Sequence, residues 1–279
     1  MKPVLSIHSS VTVGFVGNNV VGPVLTGLGL TPLLVPTVLL AAHPGYGRRI
    51  GDAVPDSIVR DILAGLDEMT GIGQISGVIS GYLGSVAQTD AIAGFVDSWR
   101  RAGSGSYILD PVLGDRGRLY LPEALALAMI EKLLPRADII TPNSFELGYL
   151  SGMPVSGRAT AETAAQHLIT TTQLAAVIAT GIDDGIDDGI NDRSGGVGDL
   201  LVMRSGGTIW CDAGPDGRNV AGGGDLLTAI LAGQLARGAM IDAAFRIASQ
   251  TAQQIIAASI SPRDLALLEN LDRVAALAE

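Results

Sequence analysis

Ala221-Gly222-Gly223-Gly224-Asp225-Leu226-Leu227-Thr228-Ala229-Ile230 is the stretch around which the chain is organised. Three glycines lead into an acid, and the acid into an apolar helical pattern running to Arg237. Glycine lets backbone approach a ligand with no Cβ in the way. A helix N-terminus carries unpaired N–H groups and a partial positive charge, so it attracts anions. An aspartate there stands beside bound phosphate, placed to take a proton from an attacking hydroxyl. The alternative is a glycine-rich loop with Asp225 as a simple N-cap. The motif alone does not separate the two, so the decision falls to the rest of the chain.

Working outward, strand-like and helix-like segments alternate. Val4 to Ile7 reads as a buried strand, followed by a turn over Ser9 to Gly17 and a helix from Asn18 to Leu28. Leu33 to Leu40 is a second strand, and Pro36 within it points to an edge or a bulge. A loop carries Ala41-Ala42-His43-Pro44-Gly45-Tyr46-Gly47. The helix begun by Pro55-Asp56 has Ile58, Ile62, Leu63, Leu66 and Met69 as its expected buried face. Ile75 to Ser80 is a strand, and the helix after it, to Arg101, buries Ile92, Phe95, Val96 and Trp99. Further strands are expected at Tyr107–Leu109, Ile139–Ile140 and Ala175–Ala179, with helices at Pro122–Leu134, from Ser144, and at Thr160–Thr172. Leu200–Arg204 and Thr208–Trp210 read as a hairpin around Ser205-Gly206-Gly207. Ile241 to Ala258 is the strongest late helix.

This alternation predicts an α/β fold in three layers, α/β/α, with a mostly parallel central sheet and helices on both faces, as one domain over residues 1–279. Ligands in such sheets sit beyond the carboxyl ends of the strands. The loops there carry Ser9, His43, Tyr82, Asp110, Asn143, Glu146, Thr180 and Asp225, and the topology brings them to one rim.

Composition narrows the chemistry. The 279 residues are 47% hydrophobic and 16% charged, with 18 Lys and Arg against 28 Asp and Glu, a net charge of −10. No basic tract is present, which argues against nucleic acid or an anionic membrane as partner. Lys2 and Lys132 are the only lysines, so no Gly-Lys-Ser/Thr phosphate loop and no good Schiff-base lysine exist. Cys211 stands alone, excluding internal disulfides and a Cys-rich zinc site. His8, His43 and His167 are too far apart to form a histidine metal motif. Gly14-X-X-Gly17 lacks the dinucleotide fingerprint, which leaves a dehydrogenase as a weaker alternative. The acidic and glycine-rich run from Asp183 to Asp192 resembles a calcium loop only in composition and reads as a surface loop. With no secretory h-region and no apolar run of spanning length, the expected location is cytoplasmic.

Several stretches together carry a resemblance. They are Ser6-Ile7-His8-Ser9, Gly14-Phe15-Val16-Gly17-Asn18, His43-Pro44-Gly45-Tyr46-Gly47, Gly81-Tyr82-Leu83-Gly84-Ser85, Asp110-Pro111-Val112-Leu113-Gly114-Asp115-Arg116-Gly117, Thr141-Pro142-Asn143-Ser144-Phe145-Glu146-Leu147 and Gly222-Gly223-Gly224-Asp225. In this order and with these gaps they resemble the pyridoxal kinases of the ribokinase-like superfamily, over nearly the whole chain. The resemblance implies transfer of the γ-phosphate of ATP to a primary alcohol on a small ring compound such as pyridoxal. It matches Asp225 to the base and Gly222, Gly223 and Gly224 to the anion hole. Asp110 and Glu146 match acids that hold Mg2+ through water. Asn143 and Thr180 match nucleotide-side positions, and Asp115 to Tyr120, with Arg116 and Arg118, matches the flap between the substrates. Ser9, His43, Tyr46 and Tyr82 match positions near the pyridine ring. A homodimer is implied, and a need for a monovalent cation is left open.

The sequence departs from the family pattern on the alcohol side. Ala41-Ala42 stands where Ser-Asn is usual, and Ser10, Val13 and Phe15 replace His, Tyr and His. Fewer polar groups weaken selection for a polar ring. Three alternatives therefore stay open: a kinase for another hydroxymethyl ring compound such as the pyrimidine precursor of thiamine, a sugar kinase, and a B6- or nucleotide-binding protein without turnover.

Overall fold

The computed structural model describes residues 2–183, 196–213 and 220–278. Most of the acidic run, Asp184 to Asp192, lies outside them. The described elements are strands β1 (Pro3–Val13), β2 (Thr31–Ala42), β3 (Gly51–Ala53), β4 (Gly77–Ser80), β5 (Ser106–Leu109), β6 (Gly114–Asp115), β7 (Arg118–Leu119), β8 (Ile139–Ile140), β9 (Ala176–Asp183), β10 (Val197–Met203) and β11 (Thr208–Asp212). The helices are α1 (Asn18–Gly27), α2 (Asp56–Thr70), α3 (Val86–Ala102), α4 (Glu123–Lys132), α5 (Ser144–Ser151), α6 (Arg158–Thr171), α7 (Gly223–Arg237), α8 (Ile241–Ala258) and α9 (Leu271–Ala275).

Nine strands form one sheet in the order β11-β10-β9-β8-β5-β4-β1-β2-β3. The run from β9 to β2 is parallel, while β3, β10 and β11 are antiparallel. Alternate residues of the central strands go to opposite faces, as the pleat requires. Leu5, Ile7, Val78, Tyr107 and Ile140 pack with α2 to α6, and Val4, Ile79, Ile108, Ile139 and Ile178 pack with α1, α7, α8 and α9. This is the three-layer arrangement expected. No helix among the described residues is long and apolar enough to cross a membrane.

Two local expectations are corrected. The turn expected from Ser9 is instead strand, because β1 runs on to Val13 along β2, pairing Val13 with Ala42. The side of this extension away from β2 is completed by side chains: Asn19 bonds Val11 through both its amide atoms, at 3.0 and 2.7 Å. Pro36 stands opposite His8 at a register shift, as its missing N–H suggested, and buried Asn18 donates to the His8 carbonyl there at 3.0 Å. On α2 the buried residues are Val59 and Leu63, while Ile58, Ile62 and Met69 are exposed. The helix meets α3 and β2 along the Val59 side, so its apolar stripe is turned from the expected face.

The 3.6-residue pattern elsewhere settles cleanly. Trp99, Ile92 and Val96 of α3 are buried, and the Trp99 indole donates to the Ile75 carbonyl at 2.9 Å. Burying such an indole with its N–H satisfied fixes α3 against β4.

Candidate active site

The centre of the site is the first turn of α7. Gly222 is the N-cap, with φ 89°, and Gly223, Gly224 and Asp225 follow as helix. Asp225 is therefore not a cap but the third helical residue, which corrects the simple N-cap alternative. A Cβ on Gly222 would collide with the Phe15 carbonyl, so both its φ and its surroundings demand glycine. Gly223 donates to the Val220 carbonyl at 3.0 Å. That makes Gly224 and Asp225 the first-turn residues whose N–H groups the helix itself does not use.

Asp225 faces His8 in the middle of β1 and Gly17 beyond its end. Its Oδ2 accepts from the Gly17 N–H at 2.9 Å, and its Oδ1 lies 2.9 Å from His8 Nε2. The Ser9 N–H donates to His8 Nδ1 at 2.8 Å, which assigns the ring proton to Nε2. The Nε2 approach to Asp225 is close but off the line of a good hydrogen bond, leaving Nε2 the one buried side-chain polar atom without a hydrogen-bond partner among the described residues. The imidazole lies over Gly81, where a Cβ would fall inside the ring. Burial would raise the Asp225 carboxyl, but the His8 ring beside it and the Gly17 N–H hold it below the usual carboxylate range. It is an anion in a largely dry place. Burial opposes a charge on His8, and the Asp225 and Asp110 carboxylates outweigh it, so its pKa is raised.

Asp110 directly follows β5 and completes the group. One atom each of His8, Asp110 and Asp225 lie within 4.8 Å of one another, and with the ring proton on Nε2 the two acids are the members able to ligate a metal. Asp110 is buried, and its Oδ2 accepts from Thr228 at 3.1 Å. Burial and the charges of Asp225 and Glu146 push its carboxyl well above the usual range.

Glu146 is spent differently. Its Oε2 accepts from the Asn143 N–H at 2.9 Å, closing a capping box on α5. Its Oε1 accepts from the N–H groups of Leu113 and Gly114 at 2.8 and 3.3 Å. Burial pushes this carboxyl up to about 7. Glu146 thus pins the turn after Asp110-Pro111, where Val112 has φ 42°, a strained conformation for a β-branched residue. The acid beside Asp110 is Asp225, while the oxygens of Glu146 accept from backbone N–H groups.

The nucleotide-side candidates also meet. Asn143 caps α5, donates to the Gly114 carbonyl at 2.8 Å and is bridged to Thr180. Gly114-Asp115 and Arg118-Leu119 form a separate two-stranded hairpin with Arg116 at φ 50° and Gly117 at φ 76° in its turn. Tyr120 follows it, half-exposed, and its N–H donates to the Leu113 carbonyl at 2.7 Å. The expected flap is a two-stranded hairpin whose root is held by Glu146 and Asn143.

On the remaining side, Ser9 is buried, with Oγ 3.2 Å from His8 Nδ1. His43 and Tyr46 pack edge to face, 5.1 Å between centroids, against Gly14. Both are tied to the segment before α9: His43 Nε2 contacts the Arg263 carbonyl at 3.0 Å and the Tyr46 hydroxyl bonds Asp264. Tyr82 stands apart, packed on Val11, Val38 and Leu40, with its hydroxyl 3.4 Å from Arg49. Sequence reasoning missed His8, whose signal was its place directly before Ser9.

A mostly parallel α/β sheet with helices on both faces, a glycine-led helix N-terminus and a half-buried carboxylate in its first turn is the ribokinase-like fold. The chain belongs to the phosphomethylpyrimidine kinase family, whose model matches residues 25–267. A pyridoxal kinase of Rubrobacter xylanophilus is 37% identical over 168 residues, which are 60% of this chain and 58% of that protein. The chain thus aligns to somewhat more than half the length of this relative. The crystal structure of pyridoxal kinase from Entamoeba histolytica superposes with a TM-score of 0.87 at 25% identity, covering 98% of this chain and 95% of that one. Pyridoxal kinase from Leishmania donovani, solved with ADP and pyridoxamine, gives a TM-score of 0.85 at 28% identity, with 98% and 96% covered.

Proposed function

We propose that this chain, acting as one kinase domain, transfers the γ-phosphate of ATP to the primary hydroxyl of pyridoxal or another B6 vitamer. The observation that carries the reading is the Asp225 carboxylate, kept ionised in the first turn of α7 by His8 and the Gly17 N–H. Phosphoryl transfer needs positioning and charge stabilisation more than covalent chemistry. Asp225 takes the proton of the attacking hydroxyl. At the Gly222-Gly223-Gly224 turn, the N–H groups that the helix leaves unused, those of Gly224 and Asp225, meet the charge on the transferring phosphoryl group. Asn143 and Thr180 hold the nucleotide, and the hairpin from Asp115 to Tyr120 covers its phosphates. Ser9, His43 and Tyr46 line the ring side, and Tyr82, packed apart from them, takes no part in it.

The donor set suits Mg2+: Asp110 offers a buried carboxylate beside Asp225, and Mg2+ prefers oxygen ligands while keeping several waters. Asp110 would hold it through water, and Glu146 would act behind, by fixing the Asp110–Gly114 turn. Bound there, Mg2+ supplies neutralisation of phosphate charge. On the same reading the protein works as a cytoplasmic homodimer.

A second alcohol is favoured by one observation. His43 and Tyr46 direct polar atoms to the Arg263–Asp264 segment, so the ring side offers few groups that select pyridine over pyrimidine. The hydroxymethyl pyrimidine precursor of thiamine is therefore the second substrate reading. Release of ADP from ATP and Mg2+ that depends on added pyridoxal tests the proposal; no release with either alcohol would remove it.

A further inference from the structure

Between β9 and β10 the register slips. Ala179 pairs with Leu200 and Ile182 with Gly198, so Thr180 and Gly181 together stand opposite Asp199 alone. This is a β-bulge, and Gly181 takes φ 62° within it. A bulge re-aims a side chain and leaves backbone groups without ladder partners. Here the bulged residues are Thr180, bridged to Asn143, and its neighbour.

Asp199 fills that gap. It is buried, and its Oδ1 accepts from the Gly181 N–H at 3.0 Å. Its Oδ2 accepts from the Ser249 hydroxyl at 2.7 Å and from Gln253 Nε2 at 3.3 Å. Gln253 also donates to Ser249 Oγ at 2.9 Å. Among the described residues no Lys or Arg pairs with Asp199. Burial pushes its carboxyl up, against these hydrogen bonds. A buried carboxylate without a cation is an expensive way to fill a core position. What it does here is fasten the bulge to α8.

We propose that Asp199 is a positioning residue for the nucleotide: held by Ser249 and Gln253 of α8, it fixes the Thr180–Gly181 bulge in the conformation that receives ATP. This rests on the nucleotide-side reading of Thr180 above. The alcohol side, at Ser9, His43 and Tyr46, is built from other elements and does not depend on it.

Steady-state kinetics with ATP and pyridoxal varied separately test this, on the parent and on Asp199→Ala, Asp199→Asn and Thr180→Val. Asp199→Ala should raise the KM for ATP about tenfold or more, the factor a hydrogen bond to a charged group carries. The KM for pyridoxal should stay within about twofold of the parent, being set elsewhere. Asp199→Asn keeps an acceptor for the Gly181 N–H and should restore most of the ATP affinity. A role in folding alone would lower stability without this split between substrates. An unchanged ATP KM in Asp199→Ala, or an equal rise for both substrates, overturns the proposal. Thr180→Val separates the two readings: if it leaves ATP binding unaltered, the nucleotide side is misassigned, whereas a rise in Thr180→Val with none in Asp199→Ala refutes Asp199 alone. Should Asp199→Ala not fold, amide exchange at Gly181 in the parent decides. Slow exchange without nucleotide is expected, and rapid exchange there would contradict a bulge held in advance.

Discussion

Replacing Asp225 with Asn should damage both catalysis and stability, for reasons that can be separated. Removing a positioned base costs about 10²–10⁴-fold in kcat, or roughly 3–5 kcal/mol of barrier. The structural cost comes from the two groups facing the carboxylate. Gly17 donates to Oδ2, and His8 Nε2 carries its proton toward Oδ1 because the Ser9 N–H occupies Nδ1. Asparagine has one oxygen and one NH2 group. Whichever way the amide turns, a donor meets a donor, and the ring cannot change tautomer without colliding with the Ser9 N–H. Turned with its oxygen to Gly17, the amide presses its NH2 on the Nε2–H; turned the other way, it leaves the Gly17 N–H unpaired, at about 1–3 kcal/mol. The site also favours the anion, since Asp225 titrates below the usual range, so loss of its charge acts in the same direction. The assay is kcat from coupled ADP release beside urea unfolding of the same preparations. A variant within about tenfold of the parent in kcat would refute Asp225 as base. Full loss of activity with unchanged stability would refute the His8 tautomer while leaving the base in place.

The other predictions concern the turn and the glycine entry. Glu146 is held up at about 7, so the folded chain keeps its proton where the unfolded chain has lost it. Stability of the metal-free protein should therefore fall as pH rises from the ordinary glutamate range to about 7, with Glu146 contributing about 3 kcal/mol of that fall. Urea melts at both ends of this window should show Glu146→Gln losing that share of the slope; an identical slope in the variant would contradict it. Gly222→Ala should be strongly destabilising, since its φ is 89° and a Cβ meets the Phe15 carbonyl, whereas Gly224→Ala, with open space at its Cβ, should be neutral or gain up to about 1 kcal/mol in thermal unfolding.

What could be read from the sequence followed local pattern. Ile241–Ala258 and Ile139–Ile140 form the elements expected residue for residue, because each is decided by its own periodicity between clear breaks. The mostly parallel sheet with helices on both faces followed from the alternation. The misses are non-local. The tail of β1 past His8 is strand because it pairs with β2 and because Asn18 and Asn19, from the next helix, take up its free backbone groups. On α2, two neighbouring apolar stripes were available, and contact with α3 chose the one with Val59. Glu146 and Asp110 are both acids at the rim, but only the folded chain shows that three backbone N–H groups take the Glu146 oxygens. His8 is not marked by local pattern, because its partner, Asp225, lies more than two hundred residues away.

The central claim is that the Asp225 site phosphorylates a B6 vitamer. Its most direct test is a competition: pyridoxal and the hydroxymethyl pyrimidine at equal concentration, with ATP and Mg2+, and the phosphorylated products resolved by phosphorus NMR. The account predicts pyridoxal 5'-phosphate as the main product, formed by the parent and lost in Asp225→Asn. Phosphorylation of the pyrimidine alone would move the assignment to that alcohol, and an ATP signal unchanged with both would contradict the kinase reading.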